Sequence, residues 1–333
     1  MISLIQAAVV FGTVIMFGCV GEILTEKGGN LNLGVPGIMY LGGIASLAAT
    51  FFYERNTEDP NRFVCVLIAL VCGFAAAALG GLIYSFLTIT LRTNQNVTGL
   101  TMTIFGSGVA NFFGGSLNKL AGGVGQISVS ETSAAFRQKI PVLSTDTGAF
   151  GEIFFSYGFM VYLAIIIAVI MQIFFSKSRA GLNLRAVGEN PATADAAGVS
   201  VTKYKYISTC IGAGITGLGG VYYVMDYIKG TWANDGTIEK LGWLAVALVI
   251  FATWKSKNAI WGAYLFGILY WMYQYIPSSM YSFIPGEPRA AQEIFKMLPY
   301  VVTIIVLIIT SLRKSKENQG PNSLGLSYFR EER

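Results

Sequence analysis

The chain has 333 residues, of which 53% are hydrophobic and 12% are charged, and its formal net charge is +5. Soluble domains usually carry about 25% charged residues, so this composition excludes an ordinary water-soluble protein. It indicates an all-α, polytopic membrane protein in which the 39 glycines let helices approach one another closely. The absence of histidine removes the commonest general base and metal ligand.

Long, mostly uncharged runs are the signature of membrane-spanning helices, which need about 20 apolar residues to cross. Taken in chain order, these runs predict nine membrane passes, and the seventh is short for a full crossing. The predicted spans are 2–21, 31–53, 63–91, 96–114, 153–176, 206–225, 241–254, 258–276 and 297–312.

The distribution of lysine and arginine predicts the orientation, because cytoplasmic loops are enriched in both. Segment 177–206 and the tail 313–333 are the basic connections, so we expect both in the cytoplasm, with the N-terminus outside and the C-terminus inside. The chain then divides into a transmembrane domain, 1–312, and a polar tail that we expect to be poorly ordered. We interpret the positive net charge as a sign of membrane orientation, and we expect no nucleic-acid partner.

Two spans carry residues that disturb a regular helix. Span 31–53 begins with Asn32, Pro36 and Gly37, and span 206–225 contains five glycines between Gly212 and Gly220. Close helix packing explains both. The alternative is a broken or re-entrant helix beside a transport path, because irregular backbone at membrane depth is tolerated only inside protein or along a wet cavity.

The polar side chains inside the spans are uncharged, and they concentrate in 91–115. They either form interhelical hydrogen bonds or line a path for a neutral polar solute. No charged residue falls in a mid-membrane position, which argues against a proton-driven carrier. The candidate path residues are Asn32, Pro36, Gly37, Asn94, Asn96, Thr98, Thr103, Ser107 and Asn111.

The cytoplasmic segment contains a short helix with clear end signals. Asn190 is a favoured N-cap, Pro191 suits the first helical position, and Gly198 suits the position after the end. The helix between, 191–197, spans about 10 Å, and a helix this short is marginal in water unless it packs on a partner. The alternative is a solvated loop with one stray helical turn.

Four stretches resemble one family in the family's own order: "GLNLRAVGENPATADAAGVSVTKYKY", "GEILTEKGGNLNLGVPGIMYLGG", "LRTNQNVTGLTMT" and "GWLAVALVIFATWKSKNAIWGAYLFG". They are similar to permease subunits of bacterial ABC importers for simple sugars, nucleosides and branched-chain amino acids. The likeness is strongest to the smaller permease of purine-nucleoside uptake systems. Many relatives have glutamate where this chain has Pro36, so no role for that carboxylate transfers.

The resemblance implies a bacterial cytoplasmic (inner) membrane protein that is not itself an enzyme. It implies a second permease, a cytoplasmic ATPase that binds ATP and Mg²⁺, and an extracellular substrate-binding lipoprotein, with no cofactor in this chain. The segment that would couple to the ATPase comprises Arg185, Gly188, Glu189, Asn190, Pro191, Ala192, Thr193, Ala194, Asp195, Ala196 and Gly198. Arg185 serves equally well as an anchor that places its loop in the cytoplasm.

Nucleosides are the first expectation for the solute, and riboflavin, a simple sugar or a branched-chain amino acid are the alternatives. An ATP-independent secondary carrier is a further alternative, since the carbonyl groups of broken helices can bind sodium. An intramembrane enzyme is disfavoured, because the chain offers no nucleophile with a histidine base.

Overall fold

The computed structural model describes residues 2–120, 127–139, 148–275, 294–313 and 319–329. Within these ranges the chain is helical, with one isolated β-bridge between Ser128 and Thr231. The helices are α1 (Ile2–Lys27), α2 (Val35–Asn56), α3 (Arg62–Ser85), α4 (Gln95–Leu120), α5 (Ser130–Phe136), α6 (Gly148–Phe154), α7 (Phe159–Lys177), α8 (Arg179–Glu189), α9 (Pro191–Ala196), α10 (Val201–Tyr222), α11 (Thr237–Phe251), α12 (Ser256–Trp271) and α13 (Leu298–Arg313). Short π-helical turns extend α3 over Phe86–Thr90 and α10 over Tyr223–Tyr227, and a 3₁₀ turn, Met272–Tyr275, follows α12.

Each predicted span contains a helix, which confirms an all-α, polytopic membrane protein. Five of the described helices, counting the π-helical extensions of α3 and α10, are long and apolar enough to cross a membrane: Ile2–Lys27, Val35–Asn56, Arg62–Thr90, Phe159–Lys177 and Val201–Tyr227. The count of nine passes and the orientation stay predictions. The predicted external loop 276–293 lies outside the described residues.

The centre of the molecule is a bundle in which α10 packs against α1, α2 and α3, and α1 packs against α12. Helix α10 is continuous through its glycines. A Cβ at Gly217 or Gly220 would collide with Ala77 or with the Met39 carbonyl group. The glycines of the sixth span therefore serve close packing, and the broken helix considered for this span is absent.

The second span also differs from a broken helix. Residues 28–34 form an irregular turn, and α2 then begins regularly at Val35 with Pro36 in its first turn. Proline is tolerated there because the N–H groups of the first turn have no partner within the helix. The turn carries the backbone from the end of α1 to α2 and brings it beside the start of α4.

Large apolar side chains stand exposed along the outer faces of α3, α4, α7 and α13. Phe63 in α3 is 75% exposed, Ile104 in α4 is 73% exposed, and Ile170 in α7 is 55% exposed. Exposed apolar surface of this extent belongs against lipid or another protein subunit. These faces agree with a chain that lies within the membrane.

Candidate functional site

The predicted short helix is present as α9, and its ends are closed as its residues predict. The Oδ1 of Asn190 accepts a hydrogen bond from the Thr193 N–H at 3.0 Å, and Pro191 occupies the first helical position. Gly198 has φ +83°. The N–H groups of Gly198 and Val199 donate to the carbonyl groups of Asp195 and Ala194, both at 3.0 Å, which is the Schellman arrangement. The helix ends at Ala196, one residue before the predicted end.

Helix α9 meets α8 at a sharp corner, and the two helices share Asn190 as C-cap and N-cap. The inward side of this corner is buried. Ala194 packs with Val187 and Val201, and Gly188 lies so close to the Lys27 carbonyl group that a Cβ would collide with it. The corner therefore rests directly on the end of α1.

The other side of the corner faces solvent. Arg185, Glu189, Asn190, Thr193, Ala196 and Gly198 are exposed, whereas Pro191, Ala192 and Asp195 are partly buried. An incoming protein would meet this outer face first. Ala194 is 4% exposed and is turned toward the permease itself, so a substitution there would disturb the corner before it touched a partner.

The C-terminal tail does not behave as expected along its described part. We call residues 319–329 the C-terminal strap. The N–H of Ser323 donates to the Gly188 carbonyl group at 3.0 Å, and the hydroxyl group of Tyr328 donates to Asp195 at 2.8 Å. The expectation of a poorly ordered tail was therefore wrong for residues 319–329. The polar composition gave no sign of the strap, because its partners, such as the Gly188 carbonyl group and the Asp195 carboxylate, lie far away in the sequence.

Four of the candidate path residues lie in or near the turn that leads into α2, and two of them lie where it touches α4. A Cβ at Gly37 would collide with the Met102 carbonyl group, and Pro36 is buried beside it. The Thr103 hydroxyl group donates to the Leu33 carbonyl group at 3.1 Å. The Oδ1 of Asn32 accepts from the Gly34 N–H at 2.9 Å. Gly37 and Thr103 therefore serve the contact with α4, whereas Asn32 bonds within the turn and to Glu22 on α1, and Pro36 packs beside Gly242 on α11.

The other candidate path residues lie along the length of α4. Asn94 and Asn96 are exposed at its start, and the Thr98 hydroxyl group donates to the Asn94 carbonyl group at 2.8 Å. Ser107 and Asn111 are partly buried, and the Oδ1 of Asn111 has no hydrogen-bond partner among the described residues. The nine residues therefore do not form one cluster within this chain.

Sequence reasoning missed two buried carboxylates, because the first span was ended at residue 21. Helix α1 continues to Lys27, and Glu22 and Glu26 on it are 1% and 3% exposed. Glu22 accepts from the Asn32 N–H at 3.2 Å and from its Nδ2 at 3.4 Å, and Glu26 accepts from the Trp254 indole N–H. The four-residue spacing, which puts both on one helix face, was the available signal.

Comparison with known proteins identifies the family to which the chain is similar. Residues 3–307 match the family described as the permease component of branched-chain amino acid transport systems. The putative glucose ABC transporter permease TsgC13 of Haloferax volcanii is 31% identical, over 99% of this chain and 98% of that protein. No solved structure matches.

Relatives named for nucleosides are also similar over most of the chain. The nucleoside ABC transporter permease NupC of Lactococcus lactis is 28% identical over 90% of this chain and 89% of its own length. The guanosine ABC transporter permease NupQ of Bacillus subtilis is 29% identical over 91% of this chain and 90% of its own length. A second lactococcal nucleoside permease, NupB, is 24% identical over 73% of this chain and 65% of its own length. Lactococcus lactis thus has two similar proteins named as nucleoside permeases. This chain belongs to the ABC-transporter permease family that it matches from residue 3 to residue 307.

Proposed function

We propose that this chain is one of two permeases in an importer of nucleosides in the cytoplasmic membrane. A cytoplasmic ATPase binds the outer face of α9, and a lipoprotein outside delivers the solute. ATP and Mg²⁺ belong to the ATPase, and this chain carries no cofactor of its own. The observation that carries the proposal is α9 itself. Both of its ends are capped, one side is buried in the permease, and the other is open to the side predicted to face the cytoplasm.

The solute path is proposed to lie between the two permeases, along the face of α4 that carries Ser107 and Asn111. Both side chains are neutral, polar and partly buried in this chain, which suits hydrogen bonding to a neutral solute. The Oδ1 of Asn111 is itself buried and has no partner among the described residues, so it would reach a solute only after α4 shifts. Exposed apolar residues such as Ile104 and Phe112 on the same helix would be covered by the second permease or by lipid.

The ATPase contact can be tested at Ala196, which is exposed on α9. We expect Ala196→Trp to block docking sterically, so that the ATPase no longer co-purifies with the permease and uptake is lost. Ser130→Trp, at an exposed position on the side predicted to be external, is the matched control and should retain both. Normal co-purification and uptake in Ala196→Trp would overturn α9 as the docking site. An ATP-independent carrier would show uptake without any ATPase bound.

The solute can be tested through the cognate lipoprotein. NupC and NupQ are named for nucleosides and guanosine, so we expect the lipoprotein to bind guanosine by calorimetry. The glucose permease TsgC13 supports a sugar as the second candidate. Binding of glucose without guanosine would replace the nucleoside assignment, while leaving the ATPase assignment in place.

A further inference from the structure

We propose that the C-terminal strap, residues 319–329, is a positioning element that links α9 to the transmembrane helices. Its role is to fix the angle of α9 relative to the ends of α1 and α4. When α9 moves, those two helix ends therefore move with it. This inference rests on the proposed function, because it assigns the strap to the coupling between the ATPase and the path.

The strap is attached to the α8–α9 corner at several points. The Ser323 N–H and hydroxyl group both donate to the Gly188 carbonyl group. The Asn322 N–H donates to the Glu189 carboxylate at 3.4 Å. The Tyr328 hydroxyl group donates to the Asp195 carboxylate at 2.8 Å, and its ring packs on the buried cluster around Ala194. The strap is therefore hydrogen-bonded to both α8 and α9.

The strap is also attached to the elements next to the candidate path. The Gly325 N–H donates to the Gly29 carbonyl group at 3.3 Å, in the turn between α1 and α2. The Leu326 carbonyl group accepts from the Gln95 Nε2 at 3.5 Å, at the start of α4. The Oε1 of Gln95 in turn accepts from the Leu31 N–H at 2.7 Å. One strap segment thus joins the coupling corner to α1, α2 and α4.

The strap is held further along its length by aromatic contacts. The Arg92 guanidinium lies over the Phe329 ring at 4.5 Å from the centroid, a distance at which the cation is attracted to the ring face. Gly320 packs against the Trp254 indole ring, and that indole donates to Glu26 near the end of α1. Both ends of the strap are therefore fixed to the permease.

The physical need for such an element follows from the size of α9. A six-residue helix cannot hold its own conformation in water, and Ala194 is its only buried residue. Its angle to the permease is therefore set by what surrounds it. Several hydrogen bonds that cross from the strap to separate elements supply a contiguous path, and coupling between sites is carried through such packed and hydrogen-bonded contacts.

The test compares three variants of the full transporter, expressed with its second permease and ATPase. One ends after residue 318, and one carries Tyr328→Phe. The matched control is Asn322→Ala, because Asn322 bonds Glu189 through its backbone N–H and its side chain is exposed. The measured quantities are the solute taken up per ATP hydrolysed and the amount of ATPase that co-purifies. Tyr328→Phe keeps the ring, so it separates the hydrogen bond from the packing.

We expect removal of the strap to lower uptake per ATP about tenfold or more. Tyr328→Phe should lower uptake per ATP about tenfold, because loss of one hydrogen bond to a charged group has an effect of about that size. The amount of bound ATPase should change less than about twofold, because the exposed face of α9 is intact. The control should match the wild type. Wild-type uptake per ATP in both the truncated and the Tyr328→Phe transporters would overturn the strap proposal.

A second measurement does not depend on the ATPase. A nitroxide spin label at Ala197→Cys, an exposed position at the end of α9, should be held still in the full chain and should become mobile when the strap is removed. Equal mobility would overturn the strap proposal even if Ala196→Trp blocks the ATPase. If no ATPase binds the wild type, the proposed function fails, and the label still shows whether the strap holds α9.

Discussion

At the scale of single residues, the signals for the two ends of α9 could be recognised in the sequence, whereas contacts between distant residues could not be predicted. Asn190, Pro191 and Gly198 act on backbone groups within a few residues of themselves, so their pattern was enough to predict α9. The burial of Ala194 depends on Val187 and on the distant strap. The burial of Glu22 depends on how α1 meets the turn that carries Asn32, and no local pattern specifies such a meeting.

The close approach of α2 and α4 gives a residue-scale prediction. A Cβ at Gly106 would collide with the Gly37 carbonyl group, whereas a Cβ at Gly108 would meet open space. We expect Gly106→Ala to destabilise the fold by about 1–3 kcal/mol, the usual cost of overpacking. Gly108→Ala should be neutral or slightly stabilising, because alanine favours helix. Thermal unfolding in detergent measures both, and equal melting temperatures would contradict the tight α2–α4 contact.

At the scale of elements, hydropathy identified the helices but placed some boundaries wrongly. The run that suggested a break in the sixth span became the tightly packed α10, because glycine allows both outcomes and only the neighbouring helices decide between them. The strap was missed for the opposite reason. Its residues lack a hydrophobic period, and they gain their order from backbone and side-chain groups of other elements.

The end of α9 gives an element-scale prediction. Gly198 has φ +83°, and a Cβ added there would have no atom within 4 Å, so a side chain would be strained without being crowded. We expect Gly198→Val to cost about 1–2 kcal/mol in the stability of the corner and to reduce uptake. Gly115→Val, in open space on α4 without a positive φ, is the control. Faster hydrogen exchange confined to residues 190–200 would confirm the effect, and unchanged exchange would contradict it.

At the scale of the whole molecule, composition was sufficient for the class and a chain-long resemblance was needed for the family. Hydropathy separates membrane from soluble chains because lipid requires apolar surfaces and satisfied backbone groups. It carries no information on the solute. Within this chain the proposed path comprises only Ser107 and Asn111 on α4, and the second permease is proposed to supply the rest.

The predicted orientation can be tested with a membrane-impermeant maleimide on intact cells. We expect a cysteine at Ser130 to be labelled from outside, and a cysteine at Thr193 to be labelled only after the cells are opened. Both positions are exposed in this chain, so burial within the permease does not limit the reaction, and the permease is expressed without the ATPase so that α9 stays uncovered. Labelling of both positions from the same side would contradict the nine-pass arrangement.

The central claim is that the outer face of α9 binds a cytoplasmic ATPase. The most direct test is cysteine cross-linking in the assembled transporter, in a background where the native residues Cys19, Cys65, Cys72 and Cys210 are replaced. A short cross-linker at Ala196→Cys should join the permease to the ATPase. Ala194→Cys, at a buried position on the same helix, should not. A cross-link from neither position, with the transporter active, would contradict the account.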